Sequence, residues 1–394
     1  MSDAAPSRFR GRIPLDLATV LGPFLTSRFV LVLLAPLTLG LLTPLSTPSV
    51  DGWPAPAFPP TPTWHVVVTA WERFDALWFL RIATDGYRLH DGSAAFFPGF
   101  PLAIRFLAPV LGGHPLAAGF LISNLAFLGA LACVHALTRS ERGDAAARAT
   151  VLALCWFPTS HFFLMPYSES LFLLAASGCL LAANRGRWGL AALAGAVAAL
   201  TRSVGVALAA ALLVEAVLAL RAGGWRRALG PLAAALATAA GLLAYLGSWA
   251  LRGDAMAPLA FQRNWDRHPS WPWATVARGA SIAWERFQAG AGGYWLIDLL
   301  VTVVVLAGAV WITPRIRPSL SVYAWGTLLA PLCLVFPDRP LMSMPRLVLV
   351  AFPAFWGMVD LARRLRLPPW TVPAAGGAGL GLLATLTLHG YYIF

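Results

Sequence analysis

The sequence contains no lysine: all 29 of its basic residues are arginine. It is short of charge altogether, with 12% Asp, Glu, Lys and Arg against ~25% in soluble domains. A chain of this kind folded in water would expose a large apolar surface, and a disordered chain needs the opposite composition. A soluble globule and a disordered protein are therefore excluded. Cysteine is scarce too. Cys133, Cys155, Cys179 and Cys333 each fall in an apolar run without CxxC spacing, which argues against a disulfide framework or a zinc site. No DxD pair or His/Asp cluster argues for a metal, so no cofactor is expected, although single carboxylates beside phosphates can bind Mg²⁺ or Mn²⁺.

What is abundant is apolar: 58% of residues are hydrophobic and the mean hydropathy is +0.69. The composition predicts an all-α polytopic membrane protein whose ~20-residue runs each cross ~30 Å of hydrocarbon. Spans are expected near 20–44, 115–138, 148–164, 168–184, 188–201, 203–220, 228–251, 293–312, 319–336, 345–362 and 371–390, about eleven in all. The net charge of +12 is no sign of nucleic acid, because the arginines are scattered among the spans. Most of them alternate onto one side. Arg8, Arg10, Arg12 and Arg28 are followed there by Arg139, Arg142, Arg148, Arg185, Arg187, Arg221, Arg226, Arg227, Arg315, Arg317, Arg363, Arg364 and Arg366. Short loops rich in arginine read as cytoplasmic, which makes the N-terminus cytoplasmic. The N-terminal apolar run has no prompt cleavage site and reads as a retained first span. Absence of lysine beside abundant Ala, Gly, Pro and Arg marks a GC-rich genome, and the expected location is a bacterial inner membrane.

The opposite side receives two long loops, 45–114 and 252–292, with Asp75, Asp85, Asp91, Glu169, Asp254, Asp266 and Glu285. Chemistry is expected on that extracytoplasmic face, within one integral membrane domain covering 1–394. Residues 45–63 are a Pro-rich linker. Beyond it, Trp71, Phe74, Trp78 and Ile82 recur at helical spacing, predicting an amphipathic helix in the membrane interface with Asp75 beside its apolar stripe. A carboxylate there is either a base strengthened by lost solvation or an exposed acid paired with Arg73 or Arg81. The following AFFPGFP, residues 95–101, reads as a kinked re-entry into the membrane.

In order along the chain stand RFDALWFLRIATDGY, AFFPGFP, FPTSHFFLMPYSESLF, LTRSVG, GDAMAPLAFQRNW and SMPRLVLVAFP. Together, over about residues 70–356, they resemble the membrane mannosyltransferases of the GPI mannosyltransferase II (PIG-V) type and their bacterial relatives. The resemblance implies a GT-C-type glycosyltransferase: a polytopic helical fold, a site at the outer face and a polyprenyl-phosphate-linked sugar donor. It implies Asp75 as general base, and carries over Tyr167 and Glu169 from PYSES, Arg202 from TRSVG and Arg346 from SMPR. Two departures stand out. Phe74 occupies a place where the family often has Trp, and Gly99-Phe100 replaces a Leu-Tyr pair. They leave the reaction class in place and open the identity of the acceptor, a lipid or a glycan.

The implied reaction is a single inverting displacement. Asp75 would take the acceptor proton, worth ~10²–10⁴-fold, and Arg202 and Arg346 would receive the leaving phosphate with planar guanidinium forks. Glu169 is either a substrate contact, a partner for Arg202 or a helix-start acid favoured by the dipole. Arg202 could equally snorkel to the interface. His161 either reaches phosphate or packs in the core. Gln262 and Asp266 enter the site only through the resemblance of their segment. Trp265, Trp271, Trp273 and Trp284 read as interfacial anchors. Other polyprenyl-linked sugars, or a lipid transporter, remain as alternative functions; a transporter would carry paired repeats and midplane charges, which the sequence lacks.

Overall fold

The computed structural model describes residues 17–43, 54, 66–264 and 266–392. Most of it is helix, joined by short breaks; the one strand pair among the described residues, His268–Pro269 with Leu334–Val335, is antiparallel. A single cluster of buried apolar side chains runs from Val20 near the start to Leu388 near the end. Helices approach one another through small residues, which lets backbones touch where lipid offers no hydrophobic drive between helices. A Cβ on Gly357 would lie 1.8 Å from the Gly308 carbonyl, and one on Gly241 would lie 2.7 Å from the Ala196 carbonyl.

Six helices among the described residues are long and apolar enough to cross a membrane: Ala18–Leu41, Pro115–Arg142, Ser203–Gly223, Trp225–Ala250, Gly293–Arg315 and Thr371–Leu388. A seventh is available if Met344–Val350 and Phe352–Arg364, bent by 97°, count as one broken span. The other expected spans are present as shorter pieces. The segment expected as 148–164 ends its helix at Cys155 and resumes as a 3₁₀ turn at Ser160–Phe163. Glu169–Asn184, Trp188–Thr201 and Pro318–Leu332 have 16, 14 and 15 residues. Hydropathy sees apolar length but not where a turn divides it.

Two further expectations change. The stripe of Trp71, Phe74, Trp78 and Ile82 is not one interfacial helix. Phe74 adopts φ 55°, a new helix begins at Asp75 and runs to Asp85, and all four side chains are buried in protein. Arg28 is not a loop residue; it lies inside helix Leu17–Leu41, buried, with its guanidinium 4.8 Å from the Phe127 ring centre. Arg8, Arg10, Arg12, Trp265 and, Pro54 aside, the Pro-rich linker lie outside the described residues.

Candidate active site

Each charged side chain of the site is delivered by an interruption in a helix. Asp75 opens helix Asp75–Asp85 directly after the left-handed Phe74, where its carboxylate also meets the positive end of the dipole. Glu169 is likewise the first residue of its helix, Glu169–Asn184, but follows a right-handed Ser168. Arg202 is extended, with φ −153° and ψ 147°, between Trp188–Thr201 and the 3₁₀ turn Ser203–Gly205. The crossing there is tight, since a Cβ on Gly205 would lie 2.6 Å from the Ala199 Cα. Arg346 sits in the short helix Met344–Leu347, entered through Ser343 at φ 70°. The breaks that shorten the apparent spans are thus the places where polar groups turn inward, irregular backbone being tolerated at membrane depth where it lines a cavity.

These four side chains form one ion-pair network. Arg346 bonds the Asp75 carboxylate and places its Nε 3.4 Å from Glu169 Oε1. Arg202 reaches the same Glu169 oxygen at 2.5 Å and donates to Ser168 Oγ at 3.1 Å. Glu169 is 1% exposed at its side chain, so its charge depends on these two guanidiniums. Asp75 keeps 18% exposure and faces a cavity. Tyr167 acts behind it: its hydroxyl donates to the Arg73 carbonyl at 3.2 Å and accepts from the Asp75 backbone N–H at 3.2 Å, pinning the turn that aims the carboxylate. The Tyr167 ring also lies 5.4 Å from the Arg346 guanidinium carbon. Burial, then the neighbouring Asp75 charge, push its phenol well above the ordinary range, so it serves as a neutral bridge.

The network opens on a cavity of about 410 Å³. Asp75, Glu169, Arg202 and Arg346 line it, together with Phe96 and Phe97 of the AFFPGFP segment and a wall that includes Leu242 and Leu246. The structure adds Arg267 to the same wall. Its guanidinium lies 4.7 Å from the Phe336 ring centre, and burial, followed by the charge of Arg346, lowers it to about 10. Three arginines therefore face two carboxylates, a surplus of positive charge beside apolar walls. Nothing in sequence singled out Arg267 from Arg252, Arg263, Arg278 and Arg286 of the same loop.

Other expected residues fall elsewhere. His161 is fully buried, with Nε2 3.1 Å from Thr387 Oγ1 and its ring 4.4 Å from that of Phe162, and it does not line the cavity. Asp266 is exposed and pairs with His268 at 2.9 Å, one residue from Arg267. Gln262 lies on helix Ala257–Asn264 beside the cavity-lining Pro258 and Leu259, but its side chain is outside the described residues.

Comparison with known proteins bears on this arrangement. The family model described as mannosyltransferase (PIG-V) matches residues 19–220, more than half of the chain. The chain belongs to that family. The matched stretch carries Asp75, Tyr167, Glu169 and Arg202; Arg267 and Arg346 lie beyond it. Among PIG-V relatives, the GPI alpha-1,6-mannosyltransferase 2 of Rattus norvegicus is 32% identical over 145 residues and that of Mus musculus 34%. Each match takes in 34% of this chain and spans 29% of the relative's length. Among solved structures, ArnT from Cupriavidus metallidurans bound to undecaprenyl phosphate superposes with a TM-score of 0.51 at 15% identity. It covers 95% of this chain and 78% of ArnT, which establishes a GT-C-type glycosyltransferase fold over the half that the family model leaves unmatched.

Proposed function

We propose that the protein is a membrane glycosyltransferase that moves a mannosyl residue from polyprenyl-phosphate-mannose to a hydroxyl of a lipid or glycan acceptor. The observation that carries this reading is the composition of one cavity wall: a partly accessible carboxylate, three arginines and apolar surface. The donor needs all three. Its reacting carbon needs an attacking oxygen relieved of a proton, its phosphate needs cations, and its prenyl chain needs an apolar groove. The ArnT structure of the same fold was captured with undecaprenyl phosphate, a carrier of this chemical class.

In this reading the acceptor oxygen attacks the anomeric carbon as the bond from that carbon to the phosphate oxygen breaks. The electron pair leaves with polyprenyl phosphate, and the acceptor proton passes to Asp75. One displacement inverts the anomeric centre. Arg346 couples the two events, because it bonds the Asp75 carboxylate and lines the same cavity. A phosphate that engages Arg346 frees an Asp75 oxygen to accept the proton. Glu169, held by Arg202 and Arg346, fixes both guanidiniums without being consumed. We place this site on the extracytoplasmic face of a bacterial inner membrane, opposite the arginine-rich loops, with the whole chain serving one catalytic unit.

The test supplies purified protein in lipid with labelled polyprenyl-phosphate-mannose and a native lipid extract. Transfer of label to a lipid or glycan product, lost in Asp75→Asn, is the expected result. Transfer from polyprenyl-phosphate-glucose or -arabinose alone would overturn the sugar. Passage of intact labelled donor across the bilayer without any transfer would overturn the enzyme in favour of a transporter.

A further inference from the structure

A second groove lies away from the catalytic cavity. It runs along helix Glu169–Asn184 from Leu171 to Arg185, bounded on one side by Trp188–Thr201 and reaching Cys133 of Pro115–Arg142. Its volume is about 410 Å³. At 1.5 Å rise per residue the groove is ~21 Å long, more than the ~15 Å of one hydrocarbon leaflet. Its walls are apolar except at one end, where Arg185 and Arg187 are its charged residues. No carboxylate lines it. Nearby arginines are neutralised: Arg139 by Asp144, Arg142 by Asp360 and Arg317 by Glu141. Arg185 and Arg187 are exposed and form no ion pair among the described residues. At the middle of the groove is Gly178, whose missing side chain leaves open space: a Cβ there would meet nothing within 4 Å.

We propose that this groove is a binding site for an anionic phospholipid, with an acyl chain along Gly178 and the phosphate on Arg185 and Arg187. An uncompensated cation pair at the end of an apolar channel more than one leaflet deep matches the charge and the shape of such a lipid, and a zwitterionic headgroup would cancel the first of these matches. The site is separate from the transfer chemistry, so it stands or falls independently of the donor.

The test equilibrates full-length protein with vesicles of phosphatidylglycerol or phosphatidylcholine, extracts it in mild detergent and counts retained lipids by native mass spectrometry. Phosphatidylglycerol is expected to be retained one molecule above phosphatidylcholine. The double variant Arg185→Gln/Arg187→Gln should lower that preference about thirtyfold, from the attraction of two arginines to an anionic headgroup. Gly178→Phe should remove the same single molecule with both arginines intact and the melting temperature preserved, because the ring enters open groove. Lipid held elsewhere on the protein should be unchanged in both variants, so the readout is a loss of one. Equal retention of the two lipids, or an unchanged count in Gly178→Phe, would overturn the proposal. So would displacement of the phosphatidylglycerol by polyprenyl phosphate.

Discussion

Two clusters of buried or half-buried ion pairs stand at opposite ends of the same helices, and they differ in charge. At the cavity, Arg202, Arg267 and Arg346 face Asp75 and Glu169. At the far end, Arg142 and Arg317 face Glu141, Glu215 and Asp360. Gly119 packs on Pro166 near the cavity, and Glu141 follows on the same helix ~33 Å further along. The far cluster closes on itself: Arg317 reaches Glu141 at 2.8 Å and Glu215 at 3.6 Å, and Ser319 donates to Glu215 at 2.6 Å. Glu215, Arg317 and Ser319 line a void of about 10 Å³, room for a single water at most. The cavity cluster has the same residue types, a positive surplus and forty times the space. Ion pairs alone therefore do not mark a site. What marks it is a network that opens on one side onto a cavity.

The largest effect that separates the two is on turnover. Asp75→Asn is expected to lower the rate of mannosyl transfer by ~10²–10⁴-fold, the value of a general base. Glu141→Gln, which removes an equally well paired carboxylate, should leave it within about twofold and act only on stability. Radiolabel transfer under saturating donor measures both. Equal losses in the two variants would abolish the distinction.

Next in size is the cost of exposing a buried charge. Arg202→Gln removes the nearest cation from Glu169, whose side chain is 1% exposed, and breaking such a pair costs up to ~3–5 kcal/mol, reduced here by the remaining contact with Arg346. Adding Glu169→Gln should restore much of the melting temperature and none of the activity. In the far cluster the same pair of changes at Arg317 and Glu141 should shift stability by ~1 kcal/mol or less, since those side chains are 26% and 15% exposed. Thermal melts in one detergent settle the matter.

How much of this was legible in sequence follows the same physics. The helical membrane fold and Asp75, Glu169, Arg202 and Arg346 as one group were readable, because apolar length and ordered motifs survive without coordinates. The breaks were not. A φ of 55° at Phe74 and 70° at Ser343 leaves no mark in residue type, since neither is glycine. For that reason the Trp71–Ile82 stripe read as one interfacial helix although all its apolar groups are buried. Arg267 was hidden for another reason: its role comes from packing of the 252–292 loop over the cavity, a contact between segments distant in sequence. His161 shows the converse, a polar residue within a family-like motif whose bond to Thr387 serves packing.

Arg267 provides the third separation. Its charge is held at a disadvantage by burial and by Arg346, a cost that a bound phosphate relieves. Arg267→Gln should raise the donor KM by roughly tenfold to a hundredfold, the worth of one charge-assisted hydrogen bond, with kcat little changed. A loss confined to kcat would instead place it at the acceptor. No arginine of the far cluster should alter donor KM.

The smallest effect concerns the loop that delivers Phe96 and Phe97 to the cavity. Asp91 holds this loop through Arg81 at 2.5 Å and through the Ser93 backbone N–H at 2.9 Å. Burial pushes its carboxyl upward, but the hydrogen bonds from Arg81 and Ser93 outweigh it and leave the carboxyl below its ordinary range. The sign follows from linkage. A lowered folded value means that the unfolded chain binds the proton more readily, so the stabilisation is complete above the unfolded value of ~3.9 and is lost as pH falls through it to the folded value. Because Asp91 is 24% exposed, the contribution is below ~1 kcal/mol. Melting temperatures of the wild type and Asp91→Asn should therefore differ by about a degree or less at neutral pH and converge below pH ~4. A gap that persists in acid would mean that Asp91 acts through packing of the loop, and the charge asymmetry between the two ends of the molecule would then rest on the cavity arginines alone.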